Sequence, residues 1–72
     1  MIGYRLRNRL KAARAELGLT QTELALRVGV SRKTINTVEN EVFVPSTTLA
    51  LALAAAFERP VEALFYLSRD DG

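Results

Sequence analysis

Apolar residues recur at helical spacing through most of this chain. Ile2, Leu6, Leu10, Ala13 and Leu17 follow one another at steps of four, four, three and four. That spacing predicts an amphipathic helix from about Gly3 to Leu17, stopped by Gly18. Thr20 with Glu23 three residues on is a capping box, and it opens a second helix over Gln21 to Val28. Gly29 closes that helix, and Ser31 caps a third from Arg32 to Glu39 or Asn40. After Pro45, Ser46 caps a fourth helix, Thr47 to Phe57. Pro60 suits the first turn of a fifth helix reaching about Leu67. No stretch reads as a strand. The pattern therefore predicts an all-α domain over residues 1–67, with residues 68–72 as a short polar tail.

The third helix has two faces. Ile35 and Val38 point inward. Lys33, Asn36, Thr37 and Asn40 follow i, i+3, i+4, i+7 spacing and form one outward stripe, with Arg32 beside it. Amide, hydroxyl and cationic groups on such a stripe suit the donor and acceptor pattern of base edges in a major groove. The fourth helix is apolar nearly all round, largely through alanine. That fits a second buried face at a dimer interface and, equally, a small helix with exposed alanines.

Composition narrows the chemistry. The 72 residues make one small domain with 49% hydrophobic side chains, enough for a modest core. There is no Cys and no His. Thiolate and imidazole metal sites are excluded, as is catalysis by Ser–His or Cys–His pairs. Neither metal nor cofactor is expected, and no constellation supports an enzyme. No apolar run approaches the ~20 residues of a membrane span. Arg5, Arg7, Arg9 and Lys11 break up what would be the apolar part of a signal peptide. A soluble, cytoplasmic protein is expected.

The net charge is only +2, but it is unevenly spread. Residues 1–33 carry eight basic and two acidic side chains, whereas residues 34–72 carry two basic and six acidic. This asymmetry fits one end of the molecule meeting a polyanion, or a solvated basic face.

With the helix pair placed, the chain resembles the Cro and phage-repressor type of helix-turn-helix protein, the XRE family. The matching residues are L-G-L-T-Q at 17–21, E-L-A at 23–25, V-G-V-S at 28–31, T-I-N at 34–36, V-E-N at 38–40, P-S at 45–46 and L-F at 64–65. The resemblance spans roughly residues 5–67. It implies a compact five-helix bundle of the lambda-repressor-like type, in which helices two and three form the helix-turn-helix. The helix from Arg32 would enter the major groove of double-stranded DNA while the preceding helix crosses the phosphate backbone. By position, Gln21 matches the family glutamine that contacts phosphate at the start of the second helix, and Thr22 beside it is a further candidate for DNA contact. Ser31, Arg32, Lys33, Asn36 and Thr37 match positions that face bases or flanking phosphates; Arg32, Lys33 and Asn36 are assigned to bases with Thr37 in support, and Ser31 with Asn40 to phosphate. The same resemblance sets Arg14 against Glu39 as a structural ion pair and not a DNA contact.

Three residues depart from the family pattern. Glu41 and Glu58 stand where glycine is usual, and Pro60 replaces a serine-like cap. A non-glycine residue in the left-handed region costs about 1–2 kcal/mol. Either the two glutamates bear that strain or the chain leaves the helices differently, with Asn40 taking the first turn.

The leading functional expectation is a sequence-specific transcriptional regulator, a repressor that binds a palindromic operator as a homodimer. Phe43 with Val42 and Val44, and Tyr66 with Leu67, are candidate dimer residues, because apolar loops and terminal aromatics are uncommon on a monomer surface. Closing the core over the fourth helix is the other use for them. A second expectation, of a different class, is an antitoxin or immunity-type protein whose main partner is another protein, with DNA binding for autoregulation.

Overall fold

Two extended segments, one before the first helix and one after the last turn, pair with each other. In the computed structural model, which describes residues 3–69, strand β1 (Tyr4–Asn8) lies antiparallel to strand β2 (Phe65–Arg69). Tyr4 pairs with Arg69, Leu6 with Leu67, and Asn8 with Phe65. Between them come four helices: α1 (Leu10–Glu16), α2 (Gln21–Val28), α3 (Arg32–Glu39) and α4 (Thr47–Phe57). A single 3₁₀ turn, Val61–Ala63, leads from α4 into β2.

This corrects the expected all-α five-helix bundle in two places. The first helix begins at Leu10, not near Gly3, and the segment before it is a strand. Tyr4, Arg5, Leu6 and Arg7 alternate apolar and cationic side chains, the period of a strand. Asn8 ends the strand and starts the helix. Its Oδ1 accepts from the Leu10 amide at 3.2 Å, and its Nδ2 donates to the Val38 carbonyl at 2.9 Å. Ile2, the first residue of the expected stripe, lies outside the described residues, and Leu17, its last, is half exposed. The fifth helix shrinks to one turn after Pro60. Phe65, Tyr66 and Leu67, residue types that favour strands, continue into β2, which also takes in Ser68 and Arg69 of the expected tail.

The three internal helices form as their caps dictate. Thr20 accepts from the Glu23 amide at 3.0 Å, and Glu23 accepts from the Thr20 amide at 2.8 Å. Ser31 caps α3 through the Thr34 amide, and Ser46 caps α4 through the Leu49 amide, each at 3.1 Å. Gly29 sits at φ +77°, which lets the chain reverse between α2 and α3.

One core joins all these elements. Leu10 and Ala13 of α1, Leu24 and Ala25 of α2, Ile35 and Val38 of α3, and Leu53, Ala54 and Phe57 of α4 are buried together with Leu64 and Phe65. Truncating a fully buried leucine such as Leu24 would cost about 2–5 kcal/mol, a large share of the stability of so small a domain. The alanine-rich α4 is mixed: Leu51 and Ala55 are exposed while Ala54 is buried. Among the described residues no helix is long and apolar enough to cross a membrane.

Candidate nucleic-acid interface

The α2–turn–α3 unit presents most of the residues singled out in the sequence. Arg32, Lys33 and Asn40 are exposed on α3, with Asn36 and Thr37 half-buried beside them. Ile35 and Val38 anchor the opposite face in the core. Thr22 and Ser31 are exposed, and Gln21 is half-buried where α2 begins. The Ser31 hydroxyl is already engaged, because it caps α3 and lies 3.0 Å from the Thr34 hydroxyl.

Several of these side chains satisfy one another. Gln21 Nε2 donates to Asn36 Oδ1 at 3.2 Å and to Glu39 Oε1 at 3.1 Å. Arg32 Nη1 donates to Gln21 Oε1 at 3.2 Å. Asn40 Nδ2 donates to the Asn36 carbonyl and to its Oδ1, at 2.9 and 3.0 Å. A polar network thus ties the start of α2 to one flank of α3. Lys33 stands apart from it: among the described residues its ammonium has no hydrogen-bond or ion-pair partner.

Under the network lies the Arg14–Glu39 pair. Arg14 Nε reaches Glu39 Oε2 at 2.8 Å, and Nη2 reaches Oε1 at 3.1 Å, a bidentate contact. The side chains are 17% and 4% exposed. Arg14 Nη1 also donates to the Leu19 carbonyl at 2.9 Å. Hydrogen bonding to Glu39 raises the Arg14 pKa further above its ordinary value, against the opposing effect of burial. The pair fixes α1 to the end of α3.

A second ionic contact joins distant segments that the sequence did not connect. Glu41 accepts from Arg7 Nε at 2.7 Å and from Arg5 Nη2 at 3.0 Å. Its side chain is 19% exposed. The Glu41 hydrogen bond, reinforced by its charge, raises the Arg7 pKa. Glu41 itself takes the left-handed turn after α3, at φ +61°, while Asn40 stays at φ −87°. The exit through Asn40 is therefore not used. Glu58 is left-handed too, at φ +53°. Three of the eight basic side chains of residues 1–33 are thereby paired internally, Arg5 and Arg7 sharing Glu41 and Arg14 on Glu39. Arg9 lies over the Tyr66 ring, 4.0 Å from its centre.

The candidate dimer residues separate. Val44 and Leu67 line one groove with Tyr4, Arg5, Leu6 and Glu41. Tyr66 alternates to the other face of β2, under Arg9. Val42 and Phe43 turn toward α3 and share a groove with Lys33, Thr34 and Thr37.

Two helices joined across a glycine turn, the second carrying an outward polar face, define a helix-turn-helix of the DNA-binding kind. A model of the helix-turn-helix family matches residues 10–64, and the chain belongs to that family, in its XRE type. An uncharacterized HTH-type transcriptional regulator of Methanothermobacter thermautotrophicus is 46% identical over 66 residues, covering 90% of this chain and 96% of that protein. The protein YgzD of Bacillus subtilis, described in the same words, is 36% identical over 66 residues, covering 92% of this chain and all of that one. A crystal structure of a protein from Bacteroides fragilis, provisionally described as DNA-binding, superposes with a TM-score of 0.78 at 26% identity. It covers 86% of this chain and 100% of that chain. Family and relatives make this chain a DNA-binding regulator and not an enzyme.

Proposed function

We propose that the protein is a cytoplasmic, sequence-specific repressor that binds a palindromic operator as a homodimer, with α3 in the major groove. The observation that carries this reading is the outward face of α3, where Arg32, Lys33, Asn36 and Asn40 stand together on a helix whose inner face is locked in the core. Arg or Lys matches guanine O6 and N7, and Asn matches adenine N6 and N7. Asn36 is the asparagine assigned to a base; Gln21 and Thr22 at the start of α2, with Ser31 and Asn40, are assigned to phosphates, as in the geometry by which the first helix of such a pair crosses the backbone.

One α3 reads only a short half-site, so specific binding calls for two copies about 34 Å apart on the duplex. The groove between Val44, Leu67, Tyr4 and Leu6 supports a self-association face: Tyr4, Val44 and Leu67 are large, apolar and about half exposed or more. The test is selection of bound duplexes from a random pool, followed by salt titration of the enriched sequence. Enrichment of a palindrome is expected. Failure to enrich any sequence over bulk DNA would overturn specific recognition by this chain.

A further inference from the structure

The segment after α3 is apolar and exposed where it adjoins the proposed reading face. Val42 is 78% exposed and Phe43 48%. Their amides both donate to the Thr37 carbonyl, at 2.9 and 3.2 Å, which pins the two residues to the last turns of α3. Phe43 also lines a small cavity together with Leu6, Val38 and Phe65. The remaining exposed surface of Val42 and Phe43 forms one wall of the groove whose other wall is Lys33, Thr34 and Thr37.

The floor of this groove is less polar than its residue names imply. The Thr37 hydroxyl is used inside the helix, shared between the Lys33 and Thr34 carbonyls at 3.0 Å each. Its methyl group is what remains to line the groove. Lys33 contributes an apolar stem beneath its charge. No carboxylate lines the groove, and Glu41, the nearest acid in the chain, is turned to Arg5 and Arg7 of β1. The groove is thus apolar with one cationic rim, contiguous with the α3 stripe, and on the flank away from α2. Val44 does not share it, because Val44 opens onto the sheet side.

We infer that Thr37, Val42 and Phe43 form a receptor for the C5-methyl group of thymine, a specificity-determining contact beside the hydrogen-bonding row of α3. In the major groove thymine alone offers a methyl, and threonine methyls and phenylalanine rings are suited to it. The cationic rim would lie toward the flanking phosphate. This inference rests on the DNA-binding reading above.

The test removes the methyl and nothing else. Each thymine of the selected duplex is replaced in turn by deoxyuridine, and affinity is measured for the wild type, Phe43→Ser and Val42→Ser. At one or two positions the wild type should bind about fourfold more weakly, the loss expected for one buried methyl. At those positions both variants should bind the thymine and deoxyuridine duplexes equally. Wild-type binding insensitive to every replacement overturns the inference while leaving DNA binding intact. The same holds if the variants keep the wild-type sensitivity. If Phe43→Ser instead changes the oligomeric state in sedimentation, the groove belongs to a contact between copies and the inference fails. A pool in which no sequence is enriched is a failure of the DNA-binding reading itself, and it is seen before any methyl is removed.

Discussion

Arg14 grips Glu39 through two hydrogen bonds, at 2.8 and 3.1 Å, beneath the polar face of α3. Both side chains are largely out of water, so removing one strands the other as an unpaired charge. Glu39→Ala should cost about 3–5 kcal/mol of stability. Urea denaturation measures it, and an unchanged midpoint would refute a structural role for the pair. Glu39 also receives the Gln21 amide, so the loss should be accompanied by weaker order at the start of α2.

The two left-handed glutamates should respond differently to glycine. Among the described residues the Glu58 carboxylate has no hydrogen-bond or ion-pair partner, so Glu58→Gly removes strain and little else. A gain of about 1 kcal/mol is expected. Glu41→Gly relieves the same strain but releases Arg5 and Arg7. At low salt its gain should be the smaller of the two. At high salt, where partly exposed ion pairs are screened, the two gains should converge. Denaturation of both variants at two salt concentrations decides this, and equal gains at low salt would mean that the Glu41 contacts contribute nothing.

The capping box of α2 predicts a pH effect of definite sign. The Thr20 amide, with the Thr20 hydroxyl second, holds the Glu23 pKa below its ordinary value. A carboxyl whose folded pKa is depressed stabilises the fold above its unfolded pKa, and that contribution is lost as pH falls through the folded value. The wild type should therefore exceed Glu23→Gln in stability near neutrality, and the difference should vanish in acid. A difference that stays constant with pH would show that the charge is not involved. Thr20→Ala, which removes the cap itself, should cost about 1 kcal/mol.

Gln21 and Arg32 should act as a unit on DNA, because Gln21 Oε1 accepts from Arg32. A double-mutant cycle with alanine at both should show coupling of about 0.5 kcal/mol or more, whereas Gln21 with Lys33 should be additive. Lys33→Ala and Arg32→Ala should relax base preference, and loss of Gln21 should also weaken binding to every sequence. Additive effects of Gln21 and Arg32 would mean that their contact is broken in the complex.

What the sequence revealed and what it hid divide along local and distant interactions. Thr20, Glu23, Gly29, Ser31 and Ser46 signal helix ends through neighbours three or four residues away, and those ends fall where expected. The sequence conceals β1 because Ile2, Leu6 and Leu10 are spaced by four. Four is close to one helical turn and is also twice the strand period. The alternation of Tyr4, Arg5, Leu6 and Arg7 was the available signal for β1, but its partner lies some sixty residues on. Val61, Leu64 and Phe65 likewise fit a helical spacing, although Phe65 and Tyr66 favour a strand. Beneath the polar face of α3, the contact of Arg14 with Glu39 is implied by the family resemblance. The Arg5 and Arg7 contacts to Glu41 are not, since they require β1 to be a strand placed beside the end of α3.

The β1–β2 pairing also fixes how the molecule yields to force. Tyr4 and Arg69 face each other at the same end of the ribbon. Tension applied at these two positions loads one rung of the ladder at a time, so the strands unzip instead of shearing as a block. The fold therefore gives way first at the Tyr4–Arg69 rung, and β1 then passes the load to α3, through Asn8 on the Val38 carbonyl and through Arg5 and Arg7 on Glu41.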